Sequence, residues 1–194
     1  MNFLAHLYLS CEQEDLLVGN FLADFIKNRE VETFSVGIQQ GIQLHRKIDS
    51  YTDNHKLVKK GVRRLYPDHH KYAPVIIDVL YDYFLAKNWS LYHQQSLREF
   101  TTNVYKVLED NLEIMPLKLK SIVPRMIADD WLVGYSRVEG IRYTFERMKR
   151  RVSKPDHLNN VIASLTRDEA LLNEEFNQFF PEVIEYVKKE CLYD

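Results

Sequence analysis

Apolar residues recur at three- and four-residue steps through most of the chain and sustained period-two alternation is scarce, a pattern that predicts helices rather than strands. Eight or nine helices follow from it. A short one covers about residues 2 to 9, a second about 14 to 27, and a third, about 34 to 54, carries Phe34, Ile38, Ile42, Leu44 and Ile48. Helical spacing continues from Lys56 to Leu65, where Pro67 and Asp68 are expected to stop it. Pro74 suits the first turn of the next helix, where its missing N–H would be unpaired anyway, and that helix runs to about Asn88. Ser96 and Glu99 have capping-box spacing and open a helix to about Glu113. Pro116 and Pro124 punctuate the next region, before helices at Ile127 to Leu132 and Arg137 to Arg151. The last segment, about 157 to 189, is expected to break or kink near Pro181, because proline removes a ladder bond and clashes with the preceding turn.

Composition supports an all-α fold in a single helical domain over residues 1–194, since six Gly and six Pro stand against twelve Tyr and ten Phe. A chain of this length buries ~70% of the surface its unfolded form exposes, so a core forms without disulfides or metal. The net charge of −2 gives no global pull toward nucleic acid or an anionic membrane. Cys11 and Cys191 lie at opposite ends of the chain and suggest no paired framework, which points to a reducing compartment. The apolar start from Met1 to Ser10 lacks a basic leader and a small-residue cleavage site, and no stretch approaches the ~20 apolar residues of a membrane span, so a cytoplasmic protein is expected.

The chemistry concentrates in polar stripes set beside apolar ones. Asp78 and Asp82 are i and i+4 in a helix that is apolar nearly all round, and buried carboxylates need a cation, a metal or good donors. Asn2 and His6, Asn20 and Asp24, His45 and Asp49, and Asp49 and Asp53 repeat the same spacing in other predicted helices. A lone histidine on such a face is more often a satisfied core residue, and an Asp pair more often an ion-pair partner; four convergent stripes are harder to dismiss. Imidazole and carboxylate without thiolate suit Mn, Fe, Mg or a catalytic Zn, and leave room for water and a phosphate oxygen. Such a site lowers the pKa of bound water and polarises phosphoryl oxygens, which makes hydrolysis of a phosphoester its natural reaction class. Arg46 and Lys47 beside His45 could meet a phosphate. His69, His70, His93 and His157 lie in polar surroundings and are expected at the surface, and the basic run from Arg142 to Lys154 could dock an acidic macromolecule. No Walker loop, dinucleotide fingerprint, G-x-S-x-G or H-E-x-x-H is present.

At these residues the chain resembles the bacterial acyl carrier protein phosphodiesterases, a divergent branch of the HD phosphohydrolase superfamily. The resemblance is clearest in Met1-Asn-Phe-Leu-Ala-His6-Leu, Gly19-Asn-Phe-Leu-Ala-Asp24-Phe, Gly41-Ile-Gln-Leu-His45-Arg-Lys-Ile-Asp49 with Thr52-Asp53-Asn54, and Ala73-Pro-Val-Ile-Ile-Asp78-Val-Leu-Tyr-Asp82. Weaker echoes are Asp130-Trp-Leu-Val-Gly-Tyr135 and Met148-Lys-Arg-Arg151. It implies an HD-domain-like fold and metal-dependent hydrolysis, typically with Mn²⁺ (Mg²⁺ or Fe²⁺ being alternatives), of the phosphodiester joining 4′-phosphopantetheine to a serine of holo acyl carrier protein. The residues implied are His6, Asp24, His45, Asp49 and Asp78 at the metal, Asp78, Asp82 and Arg46 in catalysis, and Asn2, Asn20 and Asp53 as supports. Arg147, Lys149, Arg150, Arg151 and Lys154 would meet the acidic carrier protein. The chain lacks an adjacent His-Asp pair, so these ligands must come from separated helical positions. Two other readings stay open: a hydrolase of a nucleotide or other small phosphoester, and a non-catalytic helical module that binds a carrier protein.

Overall fold

The computed structural model describes residues 1–192. Among them ten α-helices and six short 3-10 turns account for the regular structure, with no strand, so the all-α expectation holds with slightly more helices than expected. The helices are α1 (Phe3–Tyr8), α2 (Glu14–Leu22), α3 (Val36–Asn54), α4 (Lys56–His69), α5 (Ala73–Lys87), α6 (Leu97–Asp110), α7 (Leu117–Ala128), α8 (Trp131–Gly134), α9 (Val138–Lys149) and α10 (Val161–Leu192). Pro74 sits in the first turn of α5, and Ser96 and Glu99 form the capping box of α6, as their spacing implies.

Three prolines behave differently from expectation. Pro67, Pro124 and Pro181 all lie inside helices, and α10 continues without a break for 32 residues. Each proline faces solvent, where water can satisfy the carbonyl that loses its partner one turn earlier.

The fold is organised around α5, whose Ile76, Ile77, Leu80, Tyr81, Phe84 and Leu85 are all fully buried. Against it α10 lays Leu172, Phe176, Phe179 and Phe180, with the rings of Phe176 and Phe180 stacked at 4.9 Å. This aromatic payload explains why α10 stays unbroken where its sequence suggests a break: the buried face outweighs the single lost backbone bond.

Helices α2 and α3 cross at van der Waals contact of their backbones. A Cβ on Gly19 would stand 2.1 Å from the carbonyl oxygen of Ile38, and one on Gly41 would stand 2.5 Å from that of Leu16. Only glycine fits either position, and the crossing sets Asn20 and Asp24 beside His45 and Asp49.

Two expectations are corrected here. Cys11 and Cys191, 180 residues apart, are joined in a disulfide, because α10, about 48 Å long at 1.5 Å per residue, carries its end back to the α1–α2 loop. The bond closes nearly the whole chain into one loop, a constraint on the unfolded state worth about 2 to 4 kcal/mol in typical proteins. His69 is fully buried, with Nδ1 donating to the carbonyl of His157 and Nε2 at 2.9 Å from Ser164 Oγ. It ties α4 to α10.

Candidate active site

The four polar stripes converge. His6 from α1 and His45 from α3 stack with ring centroids 3.9 Å apart, and Asp49 bridges them, Oδ1 at 3.1 Å from His6 Nε2 and Oδ2 at 3.1 Å from His45 Nε2. Asp24, just past the end of α2, places Oδ1 at 3.3 Å from the same His45 nitrogen. The donor atoms of His6, His45 and Asp49 all lie within 4.8 Å of one another.

These separations suit a metal ion, because two ligand bonds of about 2.1 Å at right angles end about 3 Å apart. The surroundings suit one too. His45 Nδ1 is 2.9 Å from the carbonyl oxygen of Asn20 and 3.0 Å from its Oδ1. A backbone carbonyl only accepts, so Nδ1 carries the proton and Nε2 presents the lone pair to the cluster, the arrangement that orients ligating histidines. Asn20 is itself fixed, its Nδ2 donating to the carbonyl of His6 at 2.8 Å and to Ser10 Oγ at 3.2 Å.

The charges of the cluster act on one another. Burial opposes charge on His45, yet hydrogen bonds and attraction from Asp24 and Asp49 outweigh it and lift the ring to about 9. Burial carries His6 down to about 4, against its hydrogen bond with Asp49. Burial would raise Asp49 and Asp24, but the imidazoles hold both carboxyls below the ordinary range. On the far side of Asp49 the α-amino group of Met1 lies 3.3 Å from Asp49 Oδ1 and 3.1 Å from Asp78 Oδ1, the two aspartates outweighing its burial and raising its affinity for a proton. Asp78 thus joins the cluster through this ammonium rather than by contact with an imidazole, and burial raises its own carboxyl.

Two expected catalytic residues occupy other places. Asp82 is wholly buried and takes the amides of Leu4 and Ala5 at 2.8 and 3.0 Å, so it caps the first turn of α1. Burial pushes its carboxyl up to about 7 against those two donors. Its task in the structure is to aim α1, and with it His6, at the cluster; it does not line the cleft. Arg46 points along the exposed side of α3, where its guanidinium donates to Asn28 Oδ1 at 2.7 Å. The helical period explains the difference, since a residue next to His45 faces about 100° away from it.

A cleft of about 380 Å³ opens over the cluster. Asp24, Asp49, Asp53 and Asp78 line one side, and Trp131, Tyr135, Thr144, Arg147, Met148 and Arg151 line the other. Asn2 connects the two, donating to the phenol oxygen of Tyr135 at 2.7 Å. The expected docking residues therefore divide: Arg147 and Arg151 line the cleft, Lys149 pairs with Glu146 at 2.6 Å, and Arg150 and Lys154 are exposed. Sequence reasoning missed the amino group of Met1 and the wall formed by Trp131 and Tyr135. The block from Asp130 to Tyr135 was the available signal for that wall.

The site is that of a helical protein in which carboxylates line a cleft and two stacked imidazoles lie buried behind them. The chain belongs to the acyl carrier protein phosphodiesterase family, whose model matches residues 1–183. Curated relatives named acyl carrier protein phosphodiesterase are 32% identical in Escherichia coli, over 99% of this chain and 100% of the relative, and 30% identical in Serratia proteamaculans over the same shares. Another from Photorhabdus laumondii is 29% identical over 100% of this chain and 98% of the relative. No solved structure matches the chain. No helix among the described residues is long and apolar enough to cross a membrane.

Proposed function

We propose that this chain hydrolyses the phosphodiester between 4′-phosphopantetheine and a serine of holo acyl carrier protein, using a divalent metal, Mn²⁺ being our first choice, held by His6, His45, Asp49 and Asp24. The observation that carries the reading is the convergence of those four side chains beneath an open cleft, in a chain of this family. When bound, the ion would lower the pKa of water and draw charge from the phosphoryl oxygens. The protein supplies the rest. Asn20 holds His45 with its lone pair inward, Asp82 fixes the helix that carries His6, and Asp49 spans both rings. Asp78, raised by burial, is suited to carry a proton between the attacking water and the departing serine oxygen, the serine leaving as an alcohol as the phosphorus–oxygen bond breaks. A cytoplasmic setting belongs to this reading, with Cys11 and Cys191 then open to reduction by the thiol pool.

The test is incubation of the purified protein with holo carrier protein and Mn²⁺. The carrier is expected to lose the mass of phosphopantetheine and take up one water, with the reaction stopped by a chelator. An unchanged carrier mass beside brisk hydrolysis of a nucleotide or a simple phosphoester would replace this substrate with a small one.

The exposed Arg150 and Lys154 can still serve docking. Charges at an interface rim act mainly on association rate and its salt dependence. Reversing both to Glu is expected to raise KM for the acidic carrier protein several-fold and flatten its salt response, with kcat for bis(p-nitrophenyl) phosphate unchanged. An unaltered KM for the carrier would place docking on another face.

A further inference from the structure

The wall facing the carboxylates contains a cation with nothing to bind. Arg147 is half-buried in α9 and lines the cleft, with its guanidinium carbon 3.1 Å from the centroid of Trp131 and 5.5 Å from that of Tyr143. Among the described residues no carboxylate, carbonyl or hydroxyl accepts a hydrogen bond from it, so its five N–H donors are unused. The neighbouring Lys149 shows the contrast, since it is engaged by Glu146 at 2.6 Å. The two rings hold the guanidinium at the cleft while its N–H groups keep no acceptor, and a guanidinium so placed can read a phosphate through two parallel bonds.

The surface it stacks on is anchored. Trp131 opens α8 directly after Asp130, which adopts a left-handed backbone at φ 46° and ψ 56°. The Asp130 carboxylate accepts from the Tyr105 hydroxyl and pairs with Arg98, each at 3.2 Å, while the Tyr105 oxygen takes the amide of Leu132 at 2.8 Å. Left-handed backbone at a residue other than glycine costs about 1 kcal/mol or more, and this network holds it in place.

We infer that Arg147, presented on Trp131 and assisted by Arg151 at the mouth of the cleft, binds a non-bridging oxygen of the substrate phosphate from the side opposite the histidine–carboxylate cluster. The inference deepens the proposed function and rests on that reading for the identity of the substrate, but the anion site itself does not depend on the carrier protein. It moves Arg147 from docking a macromolecule to contact with the reacting group. It also gives the cleft a selectivity: a phosphate meets cationic donors on one wall and the cluster on the other, whereas a neutral ester brings Arg147 no charge to pair with.

Both binding and turnover test it. Trp89 is buried and Trp131 lines the cleft, so a change in tryptophan fluorescence on adding inorganic phosphate reports Trp131. Phosphate is expected to give a saturable change in the parent. Arg147→Ala should weaken it about tenfold or more, Arg147→Lys less because the charge remains, and Arg142→Ala, exposed on the same helix, should behave as the parent. Phosphorus NMR line widths check the affinities independently of the ring that Arg147 covers. For bis(p-nitrophenyl) phosphate, kcat/KM should fall about a hundredfold in Arg147→Ala, the scale of losing one donor to a developing phosphoryl charge. Parent-like phosphate affinity and turnover in a folded Arg147→Ala would overturn the inference. A parent protein that binds phosphate through Arg147 yet leaves holo carrier protein intact would instead remove the proposed substrate and keep the anion site.

Discussion

Gly19→Ala is expected to lower stability by about 3 kcal/mol, although the same change in an open helix stabilises by about 1 kcal/mol. The reversal comes from the α2–α3 crossing. The new methyl carbon would lie 2.1 Å from the Ile38 carbonyl oxygen and 2.8 Å from the Gly41 Cα, both backbone atoms that cannot move without parting the helices. In a domain of this size a loss of about 3 kcal/mol lowers the thermal midpoint by roughly 6 to 12 °C. Activity should fall further than stability alone requires, because separation of α2 from α3 draws the Asn20 oxygens away from His45. Gly134→Ala is the comparison, since nothing lies within 4 Å of a Cβ built there. Urea titrations that find Gly19→Ala as stable as Gly134→Ala would refute the account of the crossing.

The spacing of the polar stripes made the acidic side of the cleft legible in the sequence. Residues four apart share a helix face, so each pair brought a second polar group to whatever point the first one reached. His6, Asp24, His45 and Asp49 consequently appear together in the fold as they do in the pattern. Spacing within a helix says nothing of what the partner helix presents. Asp82 shares the stripe of Asp78, but what meets it is the free amides of α1. The opposite wall was illegible for the same reason, because Trp131 and Arg147 reach the cleft from α8 and α9, far along the chain from His6. Pro67, Pro124 and Pro181 misled because the cost of a proline depends on whether its side of the helix meets water, which only the packing decides. The Cys11–Cys191 pair depended on the path of α10 in the same way.

His45→Ala is expected to abolish stoichiometric metal binding and lower phosphodiesterase activity by about a thousandfold or more, with the helical spectrum unchanged. His45 is where the lines of the site cross: Nε2 faces both Asp24 and Asp49, while Nδ1 is held by Asn20. Removing it leaves two carboxylates and His6, one donor fewer, and takes away the ring that joins Asp24 to Asp49. Asn20→Ala should act through the same ring more gently, weakening metal binding about 10- to 100-fold because it loosens His45 without deleting it. The proton bound by His45 offers a readout separate from turnover. Its pKa of about 9 in the metal-free site means that an ion binding at pH 7 must displace that proton, and the released proton should disappear from the calorimetric balance above about pH 9. In His45→Ala the release from this ring is absent. Full metal content and parent turnover in that variant would show that the ion sits elsewhere, and metal retained with turnover lost would confine His45 to the chemistry rather than the binding.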